Sequence, residues 1–376
     1  MITCTRRSRA ALVAVALVLA ALVGACTPPP AGTPAQQVEQ IITFVERARG
    51  HEFHQHPTVD FLSDADFRAA VLANLSSAEP GVRRAEAAFK ALGWLAPSGD
   101  LYHEYQVAFG SAVVGFYDPT TKVLDVRGTT MTPYRREVIA HELTHALDDQ
   151  WFALDDDFGD GLLGERTFAS LVAIEGDAVR VQQRYFASMS GVDQAQDVAE
   201  QLTLGNDPRL LTVPVALLTF TQAPYIRGGT FAYEIASEGG TPALDAMLER
   251  YPSTAEQAFD TDKYLADEPA VPVSTPPVDP GGVVADSGTW GQFLLTLVLH
   301  DGLALDSVDP VTDGWAGDAF VTWTAGTQHC LRLDTKMDTA TEATTLSGAL
   351  SSWASSHPGA TVAATAPDTV RLTSCR

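Results

Sequence analysis

The chain has 376 residues, 45% of them drawn from AVILMFWYC, which is enough apolar material for a large core and enough length for two or three domains. Disorder is therefore excluded as an overall reading. The formal net charge of −23 argues against a nucleic-acid partner and against a basic face for anionic lipid.

Residues 1–25 read as an export signal, with a basic n-region (Arg6, Arg7, Arg9), an apolar run from Ala10 to Val23, and small residues before Cys26. The run falls short of the roughly 18 to 20 residues that span a bilayer, so a transmembrane anchor is set aside. Val23-Gly24-Ala25-Cys26 resembles the bacterial lipobox. The resemblance implies a lipidated Cys26 and a chain anchored on the extracytoplasmic face of a bacterial cell membrane. Arg6-Arg7 is followed by Ser8-Arg9, which lacks the usual twin-arginine pattern. Residues 26–36, rich in proline and small side chains, suit an extended tether. Losing the three signal arginines takes the formal charge from −23 to −26. With Cys4 removed and Cys26 acylated, Cys330 and Cys375 remain. In an oxidising compartment that pair reads as a disulfide.

The body, residues 37–310, begins with a helical pattern over 37–49 and a short strand at 59–63. Two helices follow, Asp64 to Leu75 and Gly81 to Leu92, and then two strands within 113–128 joined by a turn at Asp118-Pro119-Thr120-Thr121. These make a first part, 37–131. Within the hairpin, Gly115-Phe116-Tyr117 reads as an edge strand that could receive an extended peptide. The second part, 132–190, opens with Thr132 as N-cap and Pro133 at the first helical position.

That helix carries HELTH. Residues four apart share a helical face, so His141 and His145 can present their imidazoles to one ion, with Glu142 beside them. In this pattern zinc polarises a scissile carbonyl and acidifies water, while Glu142 serves as general base. Asp148 and Trp151 occupy positions where a metzincin would have glycine and its third histidine, so that class is excluded. Two carboxylates remain for the third ligand. Asp148 would have to reach back past His145 and reads better as a surface or supporting residue. Glu175 lies on a second apolar-periodic helix, FASLVAIEGDAVRVQQRYF.

HELTH followed by IEGDA resembles the gluzincin peptidases, the thermolysin-related clan whose EGxA sequence supplies the third zinc ligand. The resemblance implies a zincin-like core in a mostly helical α+β fold, Zn2+ held by His141, His145 and Glu175, Glu142 as general base, and a peptide or protein substrate. Two departures stand out. The 29 residues of 146–174 make a long spacer containing an Asp- and Gly-rich loop, and Val179 stands where thermolysin-like enzymes place a supporting aspartate. Asp148 or Asp149 is the candidate to orient a histidine instead. Uncharacterised bacterial lipoproteins with HELTHAL, EGDA, STxEQ and KY patterns are also similar, the last two here at Ser253 to Gln257 and Lys263-Tyr264. Within 191–310, read as a helical lobe, Tyr225 and Arg227 precede a Gly-Gly pair read as a turn. Tyr225 is the candidate for stabilising an oxyanion.

HEFHQH at 51–56 lacks the HExxH order and reads as a surface loop, and His300, His329 and His357 are isolated. The segment 290–300 is apolar nearly all round and reads as a buried helix. Residues 311–376 read as a small α+β domain, a sheet with one covering helix closed by Cys330 and Cys375. The expected function is thus a membrane-tethered extracytoplasmic zinc metallopeptidase. Its competitor is a non-catalytic lipoprotein of the same fold that binds a protein or cell-wall partner. A structural zinc site is disfavoured because such sites use four Cys or His ligands.

Overall fold

The computed structural model describes residues 32–154, 161, 164–302 and 310–376. Cys26, the signal segment and most of the Asp- and Gly-rich loop lie outside the described residues. No described helix is long and apolar enough to cross a membrane. The fold is mostly helical α+β with two small sheets.

In chain order the first half comprises α1 (Pro34–Arg49), β1 (Thr58–Leu62), α2 (Asp64–Asn74), α3 (Glu79–Leu92), α4 (Leu101–Ala112), β2 (Gly115–Asp118), β3 (Val123–Arg127), α5 (Pro133–Phe152) and α6 (Glu165–Ser188). Then follow α7 (Gly191–Gly205), α8 (Val215–Gly239), α9 (Thr241–Glu249), α10 (Ala255–Phe259), α11 (Thr261–Leu265), β4 (Val283–Gly288) and α12 (Gln292–Leu299). The chain ends with β5 (Trp315–Ala325), β6 (Gln328–Met337), α13 (Ala340–Ser355), β7 (Ala360–Ala366) and β8 (Thr369–Cys375). Helix α1 starts inside the expected tether. Thr33 and Gln36 form a capping box and Pro34 opens the first turn, so local chemistry starts the helix before its apolar face begins.

The first sheet has the order β1-β3-β2, with β1 parallel and β2 antiparallel to β3. It packs on α5 through Leu124 and Val126, which share a core with Ile41, Ile42, Ile139 and Leu143. Gly115 permits the close approach of β2 to α5, since a Cβ there would lie 2.7 Å from Val138 Cγ1 and 3.3 Å from Glu142 Cγ. β2 is an edge strand, but the Tyr117 N–H is donated to Glu142 Oε2 at 2.9 Å. That donor is therefore not free for a peptide strand.

The second sheet has the order β4-β5-β6-β8-β7. β4 joins it from upstream of residue 311, where the sequence places only helix. Residues 283–288 are too exposed and too weakly alternating to announce a strand. Cys330 on β6 faces Cys375 on β8 and the two form a disulfide. The sheet, α13, α12 and α3 contribute to one continuous core, with Trp290, Trp315 and Leu331 fully buried within it. Ser374 also donates to the Ala91 carbonyl on α3. Asp318 accepts from the Trp290 and Gly291 N–H groups and from Trp315 Nε1, tying β5 to the start of α12.

The expected turn at Gly228-Gly229 is absent: α8 runs straight through both glycines. They serve packing. A Cβ on Gly176 of α6 would lie 2.4 Å from the Gly228 carbonyl oxygen, and one on Gly228 would lie 2.5 Å from the Val172 carbonyl oxygen. The two backbones are in direct contact, which only glycine permits. Gly176→Ala or Gly228→Ala should therefore cost about 1 to 3 kcal/mol through overpacking. Gly348→Ala on α13, where a Cβ meets nothing within 4 Å, should instead stabilise by about 0.5 to 1 kcal/mol. Chemical denaturation of the three variants checks both signs.

Candidate metal centre

Helix α5 starts at Thr132, whose side chain accepts from the Arg135 N–H, and continues through the HELTH turn. Its apolar face, Ile139, Leu143 and Ala146, is fully buried. That burial turns His141 and His145 toward α6, where Glu175 meets them. His141 Nε2 lies 3.1 Å from Glu175 Oε2 and 3.0 Å from His145 Nε2, and His145 Nε2 lies 3.3 Å from the same carboxylate oxygen. Among the described residues, this is the group of His, Cys, Asp and Glu whose donor atoms converge closely enough for an ion.

The donor set fits zinc. Two imidazoles and a carboxylate are its common ligands, and tetrahedral bonds of about 2.0 to 2.2 Å place neighbouring donors about 3.3 Å apart. The electrostatics agree. Burial opposes a charge on His145, but Glu175, then Glu142 and Asp148, outweigh it and push the imidazole up to about 9. Burial would also raise the Glu175 carboxyl, yet His145 and hydrogen bonds from both imidazoles hold it well below the ordinary carboxylate range. The cluster thus favours positive charge at the point where the three side chains meet.

Tyr225, on α8, reaches the same place. Its ring stacks on His141 with centroids 5.8 Å apart, and its hydroxyl lies within reach of the Glu175 charge. Burial of the hydroxyl and the charges of Glu175 and Glu142 hold its pKa well above the ordinary tyrosine value, although the side chain as a whole is 42% exposed. The sequence-predicted residues His141, His145, Glu142, Glu175 and Tyr225 therefore lie together. Pro224 precedes Tyr225 inside α8 and removes one backbone donor from the helix at that point.

The supporting residues differ from expectation. Asp148 is neither at the surface nor against a histidine: it is buried and accepts from Arg49 Nε at 2.8 Å. The fully buried Arg49 also pairs with Asp177 at 2.6 Å and Asp245 at 3.1 Å, joining α1 and α9 to the two ligand helices. Burial, together with the like charge of Asp177, raises the Asp148 carboxyl despite Arg49. Asp149 turns to the hairpin, accepting from the Tyr117 hydroxyl at 2.7 Å and from Lys122 at 2.5 Å. The residue that contacts His141 is Gln182, whose Oε1 lies 2.9 Å from Nδ1. Nothing in its immediate sequence marks it, but it stands seven residues after Glu175, two turns along the same helical face. His145 Nδ1 is buried with no hydrogen-bond partner.

The histidines at 51–56 join no metal group among the described residues. His51 instead contacts Asp245 at 3.0 Å and lies against the Trp151 ring, tilted at 34° with centroids 4.3 Å apart. The STxEQ and KY segments form a structural clip. Thr254 caps α10, Gln257 accepts from the Ser253 N–H, Lys263 pairs with Glu256 at 2.5 Å, and Arg227 donates to the Ala258 and Phe259 carbonyls.

Residues 281–374 match a family model described as a domain of unknown function (DUF8575). No curated protein and no solved structure matches the chain. The matched segment spans β4 to β8 and contains none of the metal-centre residues.

Removing Arg49 would leave Asp148 and Asp177 buried with too little positive charge, and breaking a buried ion pair from one side costs about 3 to 5 kcal/mol. Arg49→Leu should lose stability of that order in urea unfolding. A loss below about 1 kcal/mol would show that the network is not a charged clamp.

Proposed function

We propose that the chain is a zinc-dependent metallopeptidase tethered outside a bacterial membrane through a lipidated Cys26. The observation that carries the catalytic part is the convergence of His141, His145 and Glu175 with Glu142 and Tyr225 beside them. The tether rests on the sequence of residues 1–36 alone.

When bound, zinc would supply Lewis acidity toward a carbonyl oxygen and lower the pKa of water. His141, His145 and Glu175 would hold it. Glu142 is kept at the site by the Tyr117 N–H; its carboxylate takes the proton from the attacking water and delivers it to the leaving amine. The Tyr225 hydroxyl, protonated throughout the physiological range, donates to the oxygen that gains charge. A closed structural site would not require a base beside its ligands, and among the described residues this cluster offers three donors. That leaves room for a substrate group, as catalytic zinc sites do.

Metal content by mass spectrometry tests the ligand set first: about one zinc per wild-type chain and a severe loss in Glu175→Ala. A peptide-library screen then tests the reaction. Glu142→Gln should retain zinc while losing roughly 10²- to 10⁴-fold in rate, the range attributed to general acid–base catalysis. Tyr225→Phe should lower kcat by about 10²- to 10³-fold with little change in KM, as for loss of one oxyanion donor. A wild-type protein that binds no zinc after reconstitution would refute the metallopeptidase reading. Zinc binding with no cleavage of any library member would favour a binding lipoprotein.

A further inference from the structure

The contact between His141 and Gln182 belongs to a longer chain of hydrogen bonds that runs away from the metal centre through three helices. Gln182 Nε2 donates to Glu137 Oε1 at 2.9 Å, and Gln201 Nε2 donates to Glu137 Oε2 at 3.1 Å and to Asp197 Oδ1 at 2.6 Å. Glu137 stands one turn before His141 on α5, Gln182 lies on α6, and Gln201 and Asp197 lie on α7. Glu137 and Asp197 are both buried.

A glutamine amide accepts through one end and donates through the other. With Nε2 committed to the Glu137 carboxyl, Gln182 must turn its oxygen to His141. An oxygen at that position accepts a proton from Nδ1, which leaves Nε2, facing His145 and Glu175, as the nitrogen to bind a metal. The amide is also uncharged. A carboxylate in its place would add negative charge to a centre that already contains Glu175.

We propose that Gln182, oriented by Glu137, is a positioning residue that holds His141 in the tautomer required of a metal ligand. This inference rests on the metal-centre reading above, and its test separates the two. Zinc affinity of the full-length protein is measured by competition with a chromophoric chelator for wild type, Gln182→Met, Gln182→Glu and Glu137→Met, with thermal unfolding alongside. The metal-free proteins are also compared by nitrogen NMR of the His141 ring.

Gln182→Met keeps the volume but removes the acceptor. It should weaken zinc binding by about 10- to 100-fold, the usual consequence of losing an outer-shell partner, while its unfolding temperature stays near that of wild type. Gln182→Glu keeps an acceptor for His141 but sets a second carboxyl against Glu137, so it should lose clearly less zinc affinity than Gln182→Met. Glu137→Met leaves the amide free to flip and should fall between them. In the metal-free wild type His141 should show a hydrogen-bonded proton on Nδ1, whether or not Nε2 also carries one toward Glu175, and that bonded proton should be lost in Gln182→Met. Wild-type zinc affinity in Gln182→Met would overturn the proposal, as would an equal loss in Gln182→Met and Gln182→Glu. If wild type binds no zinc, the metal reading falls and the ring spectra decide alone: an Nδ1 proton that depends on Gln182 supports the relay, and one that does not overturns it.

Discussion

The metal centre depends on how closely α6 can approach its two neighbours. On one side α6 lies against α5, which brings Glu175 to the two histidines. On the other it lies against α8 with Gly176 and Gly228 in backbone contact. Gly176 follows Glu175 directly, and Gly228 is three residues after Tyr225. The absence of two side chains therefore sets how near Tyr225 comes to Glu175 and His141. A larger residue in either place would push α8 away, and Tyr225 would move off Glu175 with it.

Close helix packing also creates an electrostatic problem. Arg49, Asp148 and Asp177 are removed from water, and desolvating such groups costs several kcal/mol each unless they are paired. Here one guanidinium serves carboxylates from α5, α6 and α9, while Arg180 adds a second contact to Asp177. The network binds the C-terminal end of α1 behind the ligand helices. It makes the N-terminal helix part of the site's foundation, although α1 supplies no residue to the cluster itself.

Much of this was legible from local chemistry. Thr132-Pro133 starts α5, period-four histidines share a face, and alternating runs near the C-terminus form β5, β6, β7 and β8. The carboxylate that meets the histidines, Glu175, was legible only through resemblance, because spacing alone leaves both Asp148 and Glu175 open. Gln182 was illegible for a physical reason: a neutral amide has many uses, and only the approach of α5 and α7 gives this one its orientation. The Gly-Gly pair misled because glycine signals a turn and close packing equally well in one dimension. β4 escaped because an exposed edge strand needs little apolar alternation when its partner β5 supplies the buried face. Asp148 was misplaced because its counter-charge, Arg49, lies 99 residues away in sequence.

The partition of carboxylates explains why Glu175 rather than Asp148 meets the histidines. Seven acids lie on the two ligand helices, and six have other partners: Glu137 takes Gln182 and Gln201, and Glu165 takes the Ala255 N–H. Asp148 and Asp177 are given to Arg49, Asp149 to Lys122 and the Tyr117 hydroxyl, and Glu142 to the Tyr117 N–H. Glu175 alone points its charge at both imidazoles. A divalent ion held there by one carboxylate would leave the centre with net positive charge, and the neutral Gln182 behind His141 would preserve it. In the proposed reaction such a centre would attract electron density from a carbonyl more strongly than one neutralised by a second carboxylate, because the interaction scales with charge in a medium that screens poorly. The same partition keeps Glu142 separate: it is held by the Tyr117 N–H rather than by a cation, beside the cluster but not in it.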